Sequence, residues 1–260
     1  MTTHPAPWQA SSGHHARQRV FTQSSKLQDV LYEIRGPVHE HASRLEAEGH
    51  RILKLNIGNP APFGFEAPDV IMRDIIQALP YAQGYSDSKG IVSARRAVFT
   101  RYELVDGFPR FDIDDVYLGN GVSELITMTL QALLDNGDQV LIPAPDYPLW
   151  TASTSLAGGT PVHYLCDETQ GWQPDIADLE SKITDRTKAI VVINPNNPTG
   201  TPVPLQTIEA AYAATDGIVF VDEAYAEFDA VQLLSTNAGV VHKLGQLEDR
   251  TDADWQWVLS

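Results

Sequence analysis

From residue 116 onward, short apolar runs alternate with stretches of helical spacing, and this alternation limits the possible folds more than any other feature. Strand-like runs fall at residues 116–118, 139–142, 161–165, 189–193 and 218–221. Between them the spacing predicts helices over 123–134, 176–183 and 205–214, the first closing at Asn136-Gly137. Strands that alternate with helices in this way build an α/β domain around a mostly parallel sheet.

The chain ahead of this region is less regular. Leu27, Val30, Leu31, Ile34, Val38, Ala42 and Leu45 follow helical spacing, broken at Gly36-Pro37. That break predicts either a kink or a second helix with Pro37 in its first turn. Residues 52–57 read as a strand leading into Gly58-Asn59-Pro60, and residues 68–79 and 91–104 as helices. The stretch 83–88 between those helices is rich in turn formers. Residues 229–260 break the rhythm with an apolar run at 231–234, then Glu248, Asp249, Asp252 and Asp254, then Trp255 and Trp257. No element is assigned there.

Composition excludes several classes of partner. Of 260 residues 43% are apolar and 20% charged, an ordinary globular balance, but 34 acidic against 18 basic residues leave a formal charge of −16. Such a surface repels phosphate backbones and anionic lipid, so neither nucleic acid nor a membrane surface is expected as partner. No apolar run reaches the ~18–20 residues of a membrane helix. Residues 1–25 lack the apolar stretch of a secretory signal and read as a flexible arm. The histidines there (His4, His14, His15) have no carboxylate or cysteine companion, so no metal site is expected. The single cysteine, Cys166, cannot form an internal disulfide, reads as core filler, and fits a cytoplasmic protein.

Four segments carry the chemistry, and each follows a predicted strand, where open α/β sheets place their ligands. The first, Leu118-Gly119-Asn120-Gly121-Val122-Ser123-Glu124, opens a helix. Small residues allow a tight turn whose free N–H groups cradle a phosphate; the plain alternative is a helix start capped by Asn120 or Ser123. Glu124 stands where a dinucleotide fingerprint needs its last glycine. In the second, Ala144-Pro145-Asp146-Tyr147-Pro148, two prolines stiffen a turn that holds the Tyr147 ring either as a flat platform or as simple packing.

The third, Asn194-Pro195-Asn196-Asn197-Pro198-Thr199-Gly200, ends its strand and exposes amide side chains; a turn alone does not need this order of residues. The fourth, Val219-Phe220-Val221-Asp222-Glu223-Ala224-Tyr225, ends an apolar strand in a carboxylate. It has the look of a Walker B strand, but no G-x-x-x-x-G-K-[ST] occurs in the chain, which removes the ATPase reading.

Taken in order, the phosphate turn, Pro-Asp-Tyr-Pro, Asn-x-Asn-Pro-Thr-Gly and Asp-Glu-Ala-Tyr resemble the class I/II aminotransferases of fold type I. Residues 24–200 are similar to the bacterial alanine type, including Lys54-Leu55-Asn56-Ile57-Gly58-Asn59-Pro60. Residues 201–228 are more similar to histidinol-phosphate aminotransferases, so transamination of histidinol phosphate stays open beside the alanine type. The resemblance implies pyridoxal 5'-phosphate as cofactor, an L-amino acid and a 2-oxo acid as substrates, and a homodimer. It implies that Gly121, Val122 and Ser123 bind the cofactor phosphate and that Tyr147 stacks on the pyridine ring. Asn197 and Tyr225 would bond the ring hydroxyl, and Asp222 would face the ring nitrogen. Tyr85 would reach the phosphate in a neighbouring subunit, while Gly58 and Asn197 would lie against the substrate.

By the same resemblance, residues 26–80 contribute to a small domain, residues 81–228 form the cofactor-binding large domain in shortened form, and 229–260 stay unassigned. The family also needs a lysine downstream of Asp222, in a Ser-Lys setting, to hold the cofactor covalently and shuttle the proton. The one lysine downstream is Lys243, 21 residues on, between His242 and Leu244 and without the serine. Lys243 is therefore the candidate catalytic residue, and a shortened, catalytically silent homologue that binds cofactor or dimerises is the competing expectation.

Overall fold

The computed structural model describes residues 22, 24–27, 30, 36–54, 61–104, 110–223, 238–241 and 258–259. Helices α1 (Gly36–Ala47), α2 (Asp69–Ala78) and α3 (Val92–Glu103) precede the sheet. Pro37 sits in the first turn of α1, as expected of a helix starting there, because a missing N–H is harmless at that position. The strand expected over 52–57 does not form over residues 52–54, and residues 55–57 lie outside the described set. A strand requires a pairing partner, and these three residues have no place in the sheet.

The strands are β1 (Val116–Leu118), β2 (Gln139–Ala144), β3 (Thr160–Asp167), β4 (Gln173–Pro174), β5 (Thr187–Ile193), β6 (Ile218–Asp222), β7 (Ala238–Val241) and β8 (Val258–Leu259). They form one sheet in the order β1-β7-β8-β6-β5-β2-β3-β4. Strands β3, β2, β5, β6 and β8 pair in parallel. Strand β7 is antiparallel to both β8 and β1, so β1 runs in the same direction as the parallel set. The mostly parallel α/β sheet expected from the sequence is the sheet observed. The segment 229–260, left without an element above, supplies β7 and β8 between β1 and β6.

Helices α4 (Val122–Leu133), α5 (Pro148–Leu156), α6 (Ile176–Lys182) and α7 (Leu205–Ala213) cover the sheet. Successive strand residues face opposite sides. Val140, Ile142, Ala189, Val191, Ile193 and Phe220 pack with Ile126, Leu130 and Trp150 of α4 and α5. Leu141, Ile190, Val192, Val219 and Val221 pack with Leu179, Ile208 and Ala211 of α6 and α7. Burial on both faces is why these strands are apolar throughout rather than alternating. Cys166 is buried in the second cluster, as expected, and burial pushes its thiol up to about 11. Among the described residues no helix is long and apolar enough to cross a membrane.

Candidate active site

Because β1, β2, β5 and β6 share one direction, the four segments picked out in the sequence all leave the same edge of the sheet. The turn after β1 opens α4 with Gly121 as its N-cap, at φ 88° and ψ 160°. Glycine tolerates this backbone at no steric cost. Neither Asn120 nor Ser123 caps the helix by a side-chain bond, as the plain reading would require; the backbone N–H of Asn120 donates instead to Glu124 Oε2. The first N–H groups of α4 lack intrahelical acceptors, and the helix dipole adds positive potential there. Ser123 is exposed beside them.

The turn after β2 holds Tyr147, half-buried, as N-cap of α5, with Pro148 in the helix's first turn. Asp146 Oδ2 accepts from Thr151 Oγ1 at 2.8 Å, which fixes the turn from the helix side. After β5, Asn194 donates its backbone N–H to the Asp222 carbonyl at 2.8 Å, and its Oδ1 accepts from Val203 N at 2.9 Å. Asn196 is 4% exposed, and its Nδ2 donates to Thr199 Oγ1 at 3.0 Å and to the Pro145 carbonyl at 3.3 Å. Asn197 beside it is half-buried. The turns of β2, β5 and β6 are thus joined by hydrogen bonds.

Asp222 closes β6 in register with Ile193 of β5 and is 3% exposed. Its Oδ2 accepts from Trp150 Nε1 at 2.8 Å. Next to it, burial and then the Asp222 carboxylate push Glu223 up to about 7. Tyr102 of α3 is pushed up to about 12 by burial and then by Glu223.

The structure therefore gathers Asp222 with the turns carrying Tyr147 and Asn197, and sets Gly121, Val122 and Ser123 at the same edge. Tyr85 is fully exposed in the segment between α2 and α3. That segment is anchored by Arg95, 4% exposed, which donates to the carbonyls of Gly90 and Ile113 and pairs with Asp114 at 3.2 Å. Gly58, Tyr225 and Lys243 lie outside the described residues. Lys54, Lys182 and Lys188 pair with Glu46, Asp178 and Asp138, and Lys89 donates to the Asp114 carbonyl. Sequence reading missed Trp150, Asn194, Asn196 and Arg95. For Asn196 the signal was its place inside the Asn-rich turn; for Trp150 it was an aromatic one helical turn after Tyr147.

Residues 50–250 match the family "Aminotransferase class I and II". The chain is 89% identical over 200 residues to the alanine aminotransferase of Mycobacterium tuberculosis, covering 77% of this chain and 46% of that protein. It is 56% identical over 206 residues to the glutamate-pyruvate aminotransferase AlaA of Escherichia coli, covering 78% of this chain and 50% of that one. Among solved structures, an aminotransferase from Escherichia coli superposes with a TM-score of 0.75 at 52% identity, covering 84% of this chain and 55% of the other. An alanine aminotransferase from Pyrococcus furiosus gives 0.72 at 39% identity, covering 78% and 52%. The chain spans about half the length of the relatives it matches. The mostly parallel sheet and its covering helices are the fold type I architecture expected from the motifs. With the family pattern running through all four strand-end segments, this chain belongs to the class I and II aminotransferases.

Proposed function

We propose that this chain holds pyridoxal 5'-phosphate and serves the transfer of an amino group between an L-amino acid of the alanine type and a 2-oxo acid. The observation that carries the reading is a carboxylate buried to 3% exposure at a strand end, Asp222, with the turns of Tyr147 and Asn197 bonded around it. Burying an anion is costly unless an opposite charge meets it, and a protonated pyridine nitrogen is such a charge. The donor set fits the rest of the cofactor: a helix N-terminus with a glycine cap for the phosphate and a half-buried phenol ring for the flat face.

When bound, the cofactor supplies an electron sink for the charge left when the amino acid gives up its α-proton. In this assignment Gly121, Val122 and Ser123 hold the phosphate, Tyr147 lies on the ring, and Asn197 and Tyr225 bond the ring hydroxyl. Asp222 keeps the ring nitrogen protonated. Gly58 and Asn197 meet the substrate, and Lys243 is the candidate for covalent attachment and proton transfer. Tyr85, fully exposed, would serve the site of a second copy in a homodimer. Residues 81–228 then form the cofactor domain and residues 26–80 contribute to the small domain. The cytoplasm is the compartment this reading implies. The names of the mycobacterial and enterobacterial relatives support alanine and pyruvate as one of the two amino acid–oxo acid couples that exchange the amino group.

The test is addition of pyridoxal 5'-phosphate followed by borohydride reduction and intact-mass analysis with peptide mapping. The expected result is an absorption band that bleaches on adding alanine, with a pyridoxyl label on Lys243. A band without a label would favour a coenzyme receptor lacking the chemistry, a reading favoured by the missing serine before Lys243. No band at all would remove both.

A further inference from the structure

Trp150 is 2% exposed and stands one helical turn beyond Tyr147, its backbone N–H donating to the Tyr147 carbonyl at 3.1 Å. Its indole ring rests on Phe220 with ring centroids 5.5 Å apart and planes tilted by 39°. Its Nε1–H donates to Asp222 Oδ2 at 2.8 Å. Phe220 and Asp222 are two residues apart on β6 and so project to the same face of the sheet. One side chain thus leans on the strand at Phe220 and grips it at Asp222, while its own backbone holds the turn of the aromatic platform. Thr154 Oγ1 donates to the Trp150 carbonyl at 2.8 Å and closes this arrangement from within α5.

We propose that Trp150 is the positioning residue for Asp222, setting the plane in which the carboxylate meets a cationic ring nitrogen. This rests on the reading that Asp222 faces the pyridine nitrogen. An indole N–H suits the task because it is a donor only, with no lone pair to turn toward the carboxylate and no titration near neutral pH. A histidine at the same place would donate too, but its charge would change within the working range. In a buried site, a hydrogen bond to an ionised acceptor is stronger than a neutral one and more demanding of direction.

The experiment compares two probes on the full chain: pyridoxal 5'-phosphate, and its deaza analogue in which carbon replaces the ring nitrogen. Equilibrium binding is followed by absorbance and by quenching of tryptophan fluorescence. Trp150→Phe keeps an aromatic ring and removes the N–H. It is expected to weaken pyridoxal phosphate about tenfold while leaving the deaza analogue within about twofold. Trp150→His returns a ring N–H and is expected to recover most of the affinity, with a pH dependence that the parent lacks and that the deaza analogue does not follow. That variant also carries the test should Trp150→Phe fail to fold. Equal losses for both probes would reduce Trp150 to packing, and no loss for either would overturn the assignment alone. A parent chain that binds neither probe overturns the cofactor reading and this assignment with it.

Discussion

The side-chain amide of Asn196 reaches the carbonyl of Pro145 at 3.3 Å and so ties the turn that carries Asn197 to the turn that carries Tyr147. The same Nδ2 donates to Thr199 Oγ1 at 3.0 Å, while Oδ1 is buried without a hydrogen-bond partner. Asn196→Ala removes both donated bonds and leaves the Pro145 carbonyl short of a donor. The expected loss is ~1–3 kcal/mol in urea unfolding, and a fall in cofactor affinity as the two turns lose their tie. Full stability in the variant would mean that the two turns hold their places without this bond.

Asp222→Ala takes away the carboxylate buried to 3% exposure at the end of β6. The apolar neighbours Trp150 and Phe220 remain packed, so the fold is expected to survive. Affinity for pyridoxal 5'-phosphate is expected to drop by at least about tenfold, which is ~1.4 kcal/mol. Titration of parent and variant by absorbance checks this. Equal dissociation constants would place the ring nitrogen elsewhere.

Glu223 gives a pH prediction with a definite sign. Its carboxyl is raised in the folded chain to about 7 from its ordinary value of 4.5, by burial and then by Asp222. Between those two values the folded state binds more protons than the unfolded one, so stability falls as pH rises through this window. The full cost above it is at most about 3 kcal/mol. Glu223→Gln carries no titrating group and is expected to flatten the urea midpoint between pH 5 and 7.5 relative to the parent. Parallel pH profiles for the two proteins would refute the shift.

Strands β2, β5 and β6 were legible because they are apolar runs buried on both faces, and helices α2, α3, α4, α6 and α7 because each repeats its apolar residues. Helix α5 was not. Its sequence, Pro148 to Leu156, is rich in Thr and Ser, which are weak helix formers, and shows no apolar stripe. Burial of Trp150, Ala152, Ser153 and Thr154 holds it, and that is a tertiary effect. Strands β7 and β8 were hidden for a related reason, since their partners β1 and β6 lie far away in the sequence. Of the site, Asp222, Tyr147 and Asn197 could be picked out because their flanking residues break regular structure at strand ends. Trp150 and Asn196 work by filling and bonding space that only the assembled sheet creates.

Tyr164 offers a control away from the site. Its hydroxyl is buried and donates to the Val191 carbonyl at 2.7 Å, and burial pushes the phenol well above its ordinary value. Tyr164→Phe is expected to cost ~1–2 kcal/mol of stability, measured by urea unfolding, with cofactor affinity unchanged. A parallel loss of affinity would show that the opposite face of the sheet is coupled to the site.

Helix α2 and the turn after it expose Met72, Ile75, Ile76 and Leu79, at 45%, 51%, 60% and 58% of their surfaces. Their spacing at i, i+3, i+4 and i+7 draws one apolar stripe along the helix. The fully exposed Tyr85 follows a few residues later. A second copy of the chain that receives Tyr85 would also cover this stripe. The expected result is a dimer in sedimentation for the parent chain. Ile76→Glu would put a charge into the covered surface, forfeit ~1.5–3 kcal/mol of apolar burial, and weaken the dimer by about tenfold or more. Identical sedimentation of parent and variant would take the stripe out of the interface, and a monomeric parent would leave Tyr85 without a neighbouring site to serve.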